Sequence, residues 1–119
     1  MILEFWESSV GKPYVLDFLE EIKDQTEKPK IVKRIEFLKD WDYVQLFKTQ
    51  LIKKFKGGNS LGLHEYIISL KVEYRITFII RNNVCYLLSG FIKKDERTRP
   101  KEIAKAKARA KEVDWFIKS

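Results

Sequence analysis

The fold turns on one stretch, "LHEYIISLKVEYRITFIIRNNVCYLLSGFI", residues 63–92. It holds three apolar runs, "LHEYIISL", "YRITFII" and "VCYLLSGFI", rich in β-branched and aromatic residues and of strand length. Residues Lys71 to Glu73 separate the first two, and "RNN" separates the second and third. Asparagine tolerates the left-handed backbone that a tight hairpin needs. Consecutive strands with short turns predict an antiparallel meander. Side chains alternate along a strand, so Arg75 shares a face with Thr77 and Arg81, opposite Tyr74, Ile76, Phe78 and Ile80.

Upstream, "ILEFW" near the start reads as a short first strand bounded by "ESSVGKP". Pro13 suits the first turn of a helix, where a missing N–H costs nothing. Val15, Leu16, Phe18, Leu19 and Ile22 follow at helical spacing. That helix ends near Asp24–Lys28, and Pro29 opens a second. Its stripe is Ile31, Ile35 and Leu38, with Trp41 or Asp42 on the next turn. The short polar connection predicts a helical hairpin. "LFKTQLIKKFKGGNSLG" is irregular, with a Gly-Gly-Asn-Ser turn inside it. Downstream, "RPKEIAKAKARAKEVDWFIK" predicts a helix with the stripe Ile103, Ala106, Ala110, Val113 and Ile117. The order is β-α-α-β-β-β-α, an α+β fold with two N-terminal helices and a C-terminal helix on a small antiparallel sheet.

The 119 residues predict one domain spanning 1–119, large enough for a hydrophobic core. A single cysteine, Cys85, excludes an internal disulfide and points to a reducing compartment. No signal peptide is visible, and no apolar run is long enough to span a bilayer. A cytoplasmic protein without a membrane association is expected. The net charge is +7, unevenly spread. Residues 1–60 carry 11 Lys+Arg against 10 Asp+Glu, whereas residues 61–119 carry 13 against 7. A basic half attached to a neutral half fits a polyanionic partner, nucleic acid or an acidic protein.

Much chemistry is excluded by composition. One histidine and one cysteine argue against a structural zinc site. No phosphate-binding glycine motif is present, so no nucleotide cofactor is expected. Cys85 lies inside an apolar strand and reads as structural. Cations remain: Lys53, Lys54 and Lys56 in "KKFK", Arg75 and Arg81 in the middle strand, Lys93 and Lys94 at the end of the third, and Arg97 and Arg99 beyond it. Arg75 in mid-strand needs a partner. It can meet solvent, Glu65 or Glu73, or it can receive a phosphate in its planar fork. His64 and Glu65 can move protons. These groups suffice for RNA cleavage, because the 2′-OH is itself the nucleophile.

Taken together, the segments "LGLHEYIISL", "YRITFII", "SGFIKK" and "RTRPKEIAKAKAR" resemble the HigB-type, phage Gp49-like branch of the RelE toxin superfamily. The resemblance rests on Leu63-His64-Glu65, Tyr74-Arg75, Gly90-Phe91-Ile92-Lys93-Lys94 and Thr98 with Pro100. It covers about residues 50–112 and implies a compact RelE-like fold similar to microbial ribonucleases. It implies the toxin of a type II toxin–antitoxin module, a metal-independent mRNA endoribonuclease (mRNA interferase) that cuts mRNA in the ribosomal A site. A cognate antitoxin, often with a helix-turn-helix domain, is the implied partner beside mRNA and ribosome. Arg75, Lys93 and Lys94 carry over most directly, with His64, Glu65 and Lys93 beside Arg75 as the catalytic candidates. Two positions depart. Ile67 stands where an arginine is frequent, and Ser89 where a histidine is common. These departures leave open a gyrase-poisoning toxin of ParE type, or a non-catalytic RNA-binding module.

Overall fold

A computed structural model describes residues 1–55, 61–94 and 100–119, apart from the side chain of Tyr43. The chain runs β1 (Ile2–Phe5), α1 (Tyr14–Glu21), α2 (Lys28–Glu36), a 3-10 turn (Phe37–Asp40), α3 (Tyr43–Lys48), β2 (Ile52–Lys54), β3 (His64–Ser69), β4 (Glu73–Arg81), β5 (Val84–Lys93) and α4 (Pro100–Lys118). The expected α+β order is present, with two short additions, α3 and β2, in the stretch too irregular to read. The Gly-Gly-Asn-Ser turn, Lys56, Arg97, Thr98 and Arg99 lie outside the described residues.

The sheet order is β1-β5-β4-β3-β2. Strands β2 to β5 pair antiparallel, as the meander predicts. The β4–β5 hairpin turns through Asn82 and Asn83, with φ of 52° and 63°, the left-handed pair that lets strands reverse in two residues. Strand β1 departs from the expected antiparallel arrangement. It lies parallel to β5, with Ile2 opposite Val84 and Phe5 opposite Leu87, so the sheet is mixed. Three helices separate β1 from the antiparallel strands in sequence, and that much chain can carry β1 to the far edge in either direction.

Each sheet face carries its own core. One face packs Ile68, Tyr66, Ile76, Phe78, Cys85 and Leu87 against Val15 and Leu19 of α1 and Ile31, Ile35 and Leu38 of α2 and its 3-10 extension. Pro29 sits in the first turn of α2, as its chemistry favours. Of the anticipated stripes, Val15, Leu19, Ile22, Ile31, Ile35 and Leu38 are buried, whereas Leu16 is exposed, and α1 rests chiefly on β5 instead of pairing with α2 as the expected hairpin. Gly90 makes this possible, because a Cβ there would lie within 2.8 Å of ring carbons Cγ and Cε2 of Phe18. The other face packs Ile79, Leu88 and Phe91 against Ala106, Ala110 and Val113 of α4. Those three helical positions belong to the predicted stripe. Small alanines let α4 approach the sheet closely.

A bulge in β5 decides which side chains meet. Thr77 pairs with Ser89, but Phe78 pairs with Leu87, leaving Leu88 as the extra residue. One added residue reverses the side-chain phase beyond it. Ser89, Phe91 and Lys93 thereby join the face of Tyr86 and Leu88 rather than that of Cys85 and Leu87.

Candidate active site

Three cross-strand rows build a polar cluster on the α4 face of the sheet. Lys53, Glu65, Thr77 and Ser89 form one row across β2 to β5. Ile67, Arg75 and Phe91 form the next, and Ser69, Glu73 and Lys93 the third. Residues directly opposite on paired strands share a face, and long side chains reach the diagonal neighbour. Only because of the bulge do Ser89 and Lys93 stand on the side of Arg75.

Arg75 is 3% exposed and fully paired. Its Nε and Nη2 donate to Glu73 Oε2 at 3.1 and 2.6 Å, and Nη1 donates to Glu65 Oε1. Both carboxylates that the sequence offered as partners are thus engaged. A buried guanidinium with this geometry is costly to leave alone, so each carboxylate compensates part of its desolvation.

Glu65 is the more unusual group. It is 2% exposed, and its Oε2 has no hydrogen-bond partner. Burial pushes its pKa above the ordinary carboxylate value, while the charges of Arg75, Lys53 and Lys93 pull the other way. With desolvation the larger influence, this carboxyl takes up a proton more readily than an exposed one. Beside it, the hydroxyls of Thr77 and Ser89 are hydrogen-bonded to each other, both buried. Ser89 therefore spends its hydroxyl inside the sheet.

The other expected residues separate. His64 pairs with Phe78 and Lys54, which puts it on the α1–α2 face, away from Arg75. Its ring packs between Phe47 and Phe78, at centroid distances of 4.6 and 5.9 Å. Nδ1–H donates to the Gly62 carbonyl at 2.9 Å. Burial, followed by the charge of Lys54, lowers its pKa despite that hydrogen bond, which favours the neutral ring at pH 7. Arg81 shares the face of Arg75 but is committed to α4. Nε and Nη2 donate to Asp114 at 2.7 and 3.2 Å, and further hydrogen bonds reach the carbonyls of Leu61 and Ile80. It pins the helix rather than facing a ligand. Lys54 and Lys94 are exposed, Lys94 just past the end of β5.

Three participants carried weak sequence signals. Glu73, opposite Lys93, holds two nitrogens of Arg75 through its Oε2, and its spacing of two along β4 was the available clue. Thr77 and Ser89 are ordinary strand residues whose meeting depends on the bulge. Cys85 is buried, with a thiol pKa pushed up to about 12 by desolvation, in keeping with its structural reading. Among the described residues no group of three or more His, Cys, Asp or Glu side chains is placed to hold a metal ion. No helix among them is long and apolar enough to cross a membrane.

No curated protein matches the chain. The family described as phage derived protein Gp49-like (DUF891) matches residues 16–111. That span includes α1 through most of α4, with the whole polar cluster and the Gly90–Phe18 contact inside it. The chain belongs to this Gp49-like family, the family of HigB-type toxins of the RelE superfamily.

Proposed function

We propose that the chain is the toxin of a type II toxin–antitoxin module and acts as a ribosome-dependent mRNA endoribonuclease, cutting in the A site and inhibiting translation. Family membership points to a toxin of the RelE superfamily with an antitoxin partner. The observation that carries the finer reading is Glu65, a buried carboxylate with an unpartnered oxygen among three cations.

In this reading RNA enters between Lys53 and Lys93, whose side chains lie at the surface on either side of Glu65. Glu65 Oε2 takes the proton of the 2′-OH. The 2′-oxygen attacks phosphorus, the bond to the 5′-oxygen breaks, and a 2′,3′-cyclic phosphate forms. Lys93 gives a proton to the departing 5′-oxygen, so charge and protons balance. Lys53 and Arg75 stabilise the added negative charge on the phosphate. Arg75 must first exchange Glu73 for the phosphate. Both accept through oxygen, and Glu73, which takes two donors on a single oxygen, is the more exposed of its two carboxylate partners. His64 has no part in this step. Lys54 and Lys94 serve as outer contacts to RNA or rRNA, joined by Lys56, Arg97 and Arg99 in the stretches next to the cluster in sequence.

The test is induced expression with mapping of mRNA ends on translating ribosomes. Wild-type chain is expected to stop growth and to leave cuts within A-site codons. Glu65→Gln preserves shape and is expected to slow cleavage by about 10²–10⁴-fold. Unaltered cleavage by that variant would exclude Glu65 as the base.

One observation favours a second reading. Each guanidinium nitrogen of Arg75 already donates to a carboxylate, so the arginine needs no substrate as a partner. A gyrase-poisoning toxin on the same fold would act by binding alone. Induction of DNA-damage response with gyrase–DNA adducts, and no mRNA cleavage, would establish it.

A further inference from the structure

Strand β1 and helix α4 enclose a groove of about 980 Å³ on the α4 face of the sheet. Ile2 and Trp6 line one side, and Trp115 and Phe116 the other. Trp115 is 74% exposed, and Ile2 and Phe116 are each 61% exposed. Single exposed apolar residues are ordinary, but a contiguous aromatic patch marks an interaction surface.

The layer on this face is incomplete. Helix α4 lies over β4 and β5, where Ala106, Ala110 and Val113 meet Ile79, Leu88 and Phe91. It leaves β1 uncovered there. Parallel strand pairs are normally buried on both faces by helices, yet of the β1–β5 pair only β5 is covered by α4, while α1 lies over both on the other side. Trp6 and Phe116 close the floor of the groove edge-to-face at 5.7 Å, which leaves Ile2, Trp6 and Trp115 as an apolar bed open above it. The polar groups of the groove indicate what kind of partner it fits. Glu4, Glu7 and Glu112 line it against a single cation, Lys111. This is an acidic rim on a chain whose net charge is +7. Glu112 is also fixed in place, accepting from Trp6 Nε1 at 3.1 Å.

We infer that this groove docks an amphipathic helix of a partner protein, one whose apolar stripe is flanked by lysine or arginine. The helix completes the layer over β1, inserts its apolar stripe between Trp6 and Trp115, and meets the three glutamates with its cations. No residue of the Arg75 cluster lines the groove, so docking there leaves the cluster's own side chains uncontacted. The inference stands independently of the chemistry proposed for Glu65.

A synthetic Leu/Lys amphipathic helix of about 18 residues, roughly 27 Å long, serves as the probe, with binding read by calorimetry on the full chain. Its Leu/Glu counterpart and a proline-containing Leu/Lys peptide serve as comparisons. Net charge opposes association of a cationic peptide with this chain, so binding must come from a local site. The Leu/Lys helix is expected to bind, and the double variant Trp115→Ser/Phe116→Ser to weaken it at least tenfold. Triple replacement of Glu4, Glu7 and Glu112 by Gln is expected to do the same. Circular dichroism verifies folding of both variants. Binding of the Leu/Glu peptide is expected to be unaffected by Trp115→Ser/Phe116→Ser. Four outcomes would overturn the proposal. Three are absence of binding by the Leu/Lys helix, binding that ignores both variants, and equal binding of the proline-containing peptide by addition of a strand to β1. Self-association abolished by Trp115→Ser/Phe116→Ser would assign the groove to a second copy of the chain.

Discussion

The two faces of the sheet are made from alternate residues of the same strands, yet they solve opposite problems. Under α1 and α2, Tyr66, Ile76, Phe78 and Leu87 pack as an apolar cluster, and its one buried carboxylate, Glu27 at the start of α2, has both oxygens occupied by Tyr74 Oη and the Lys71 backbone N–H. The lone histidine on that side is packed between rings and disfavoured as a cation. On the α4 side, a buried guanidinium and a buried carboxylate sit beside the apolar contacts of Phe91. The first face holds its shape through close packing. The second gives up packing to keep charges in low dielectric, where a paired group is tolerable and an unpaired one is expensive. Substitutions on the two faces should therefore fail in different ways.

The largest effect is expected at Arg75. Arg75→Ala leaves Glu65 buried without its main counter-charge and is expected to cost about 3–5 kcal/mol, read by urea unfolding. Pairing it with Glu65→Leu is expected to recover much of that loss, since an apolar replacement of both partners removes the stranded charge. Equal losses for single and double variants would show that the charge pair is not the cause. On the packed face, Gly90→Ala is expected to cost about 1–3 kcal/mol, because the new methyl meets the Phe18 ring. Phe18→Ala in the same chain should make the second loss less than additive. Strict additivity would mean that Gly90 serves backbone freedom instead of close approach.

A smaller loss, about 1 kcal/mol, is expected for Arg81→Ala, whose ion pair with Asp114 is partly solvated. It should appear first as faster hydrogen exchange in α4. The smallest effect is expected at His64 and appears only as a dependence on pH. Its folded pKa is lowered, so the unfolded chain takes up a proton first as pH falls through 6.5. Stability contributed by the neutral ring is present above that pH and lost below it. His64→Phe is expected to flatten the difference in unfolding midpoint between pH 7.5 and 5.5. An unchanged difference would assign the slope to other groups.

What the sequence made legible follows from the range of each signal. Alternation in "YRITFII" identified β4 and put Arg75 on the correct face, because period-two patterning is local. The asparagine pair marked its hairpin for the same reason. The bulge at Leu88 left no trace, since "YLLSGF" is apolar enough on both sides to hide a change of phase. The direction of β1 was equally hidden, because a strand's side-chain pattern is the same for parallel and antiparallel partners. Asp42 did carry a readable signal. It caps α3 through a reciprocal capping box with Gln45, a spacing typical of a helix start, although its place in the stripe of α2 competed for the same residue. The cluster was legible as a set of residue types. Its membership depended on the hidden bulge, which brought in Ser89, and on register, which sent His64 to the other side.

The pairing of β1 with β5 also sets an order of events during synthesis. Ile2 emerges before α1, α2, α3 and three further strands, and its partner Val84 only after them. Until β5 has left the ribosome, β1 has no strand to join, and the Arg75 cluster lacks the Lys93 side that β5 supplies. Long-range pairing of this kind closes late because loop entropy must be overcome first. One edge of the sheet and one side of the cluster are therefore completed by the same late event.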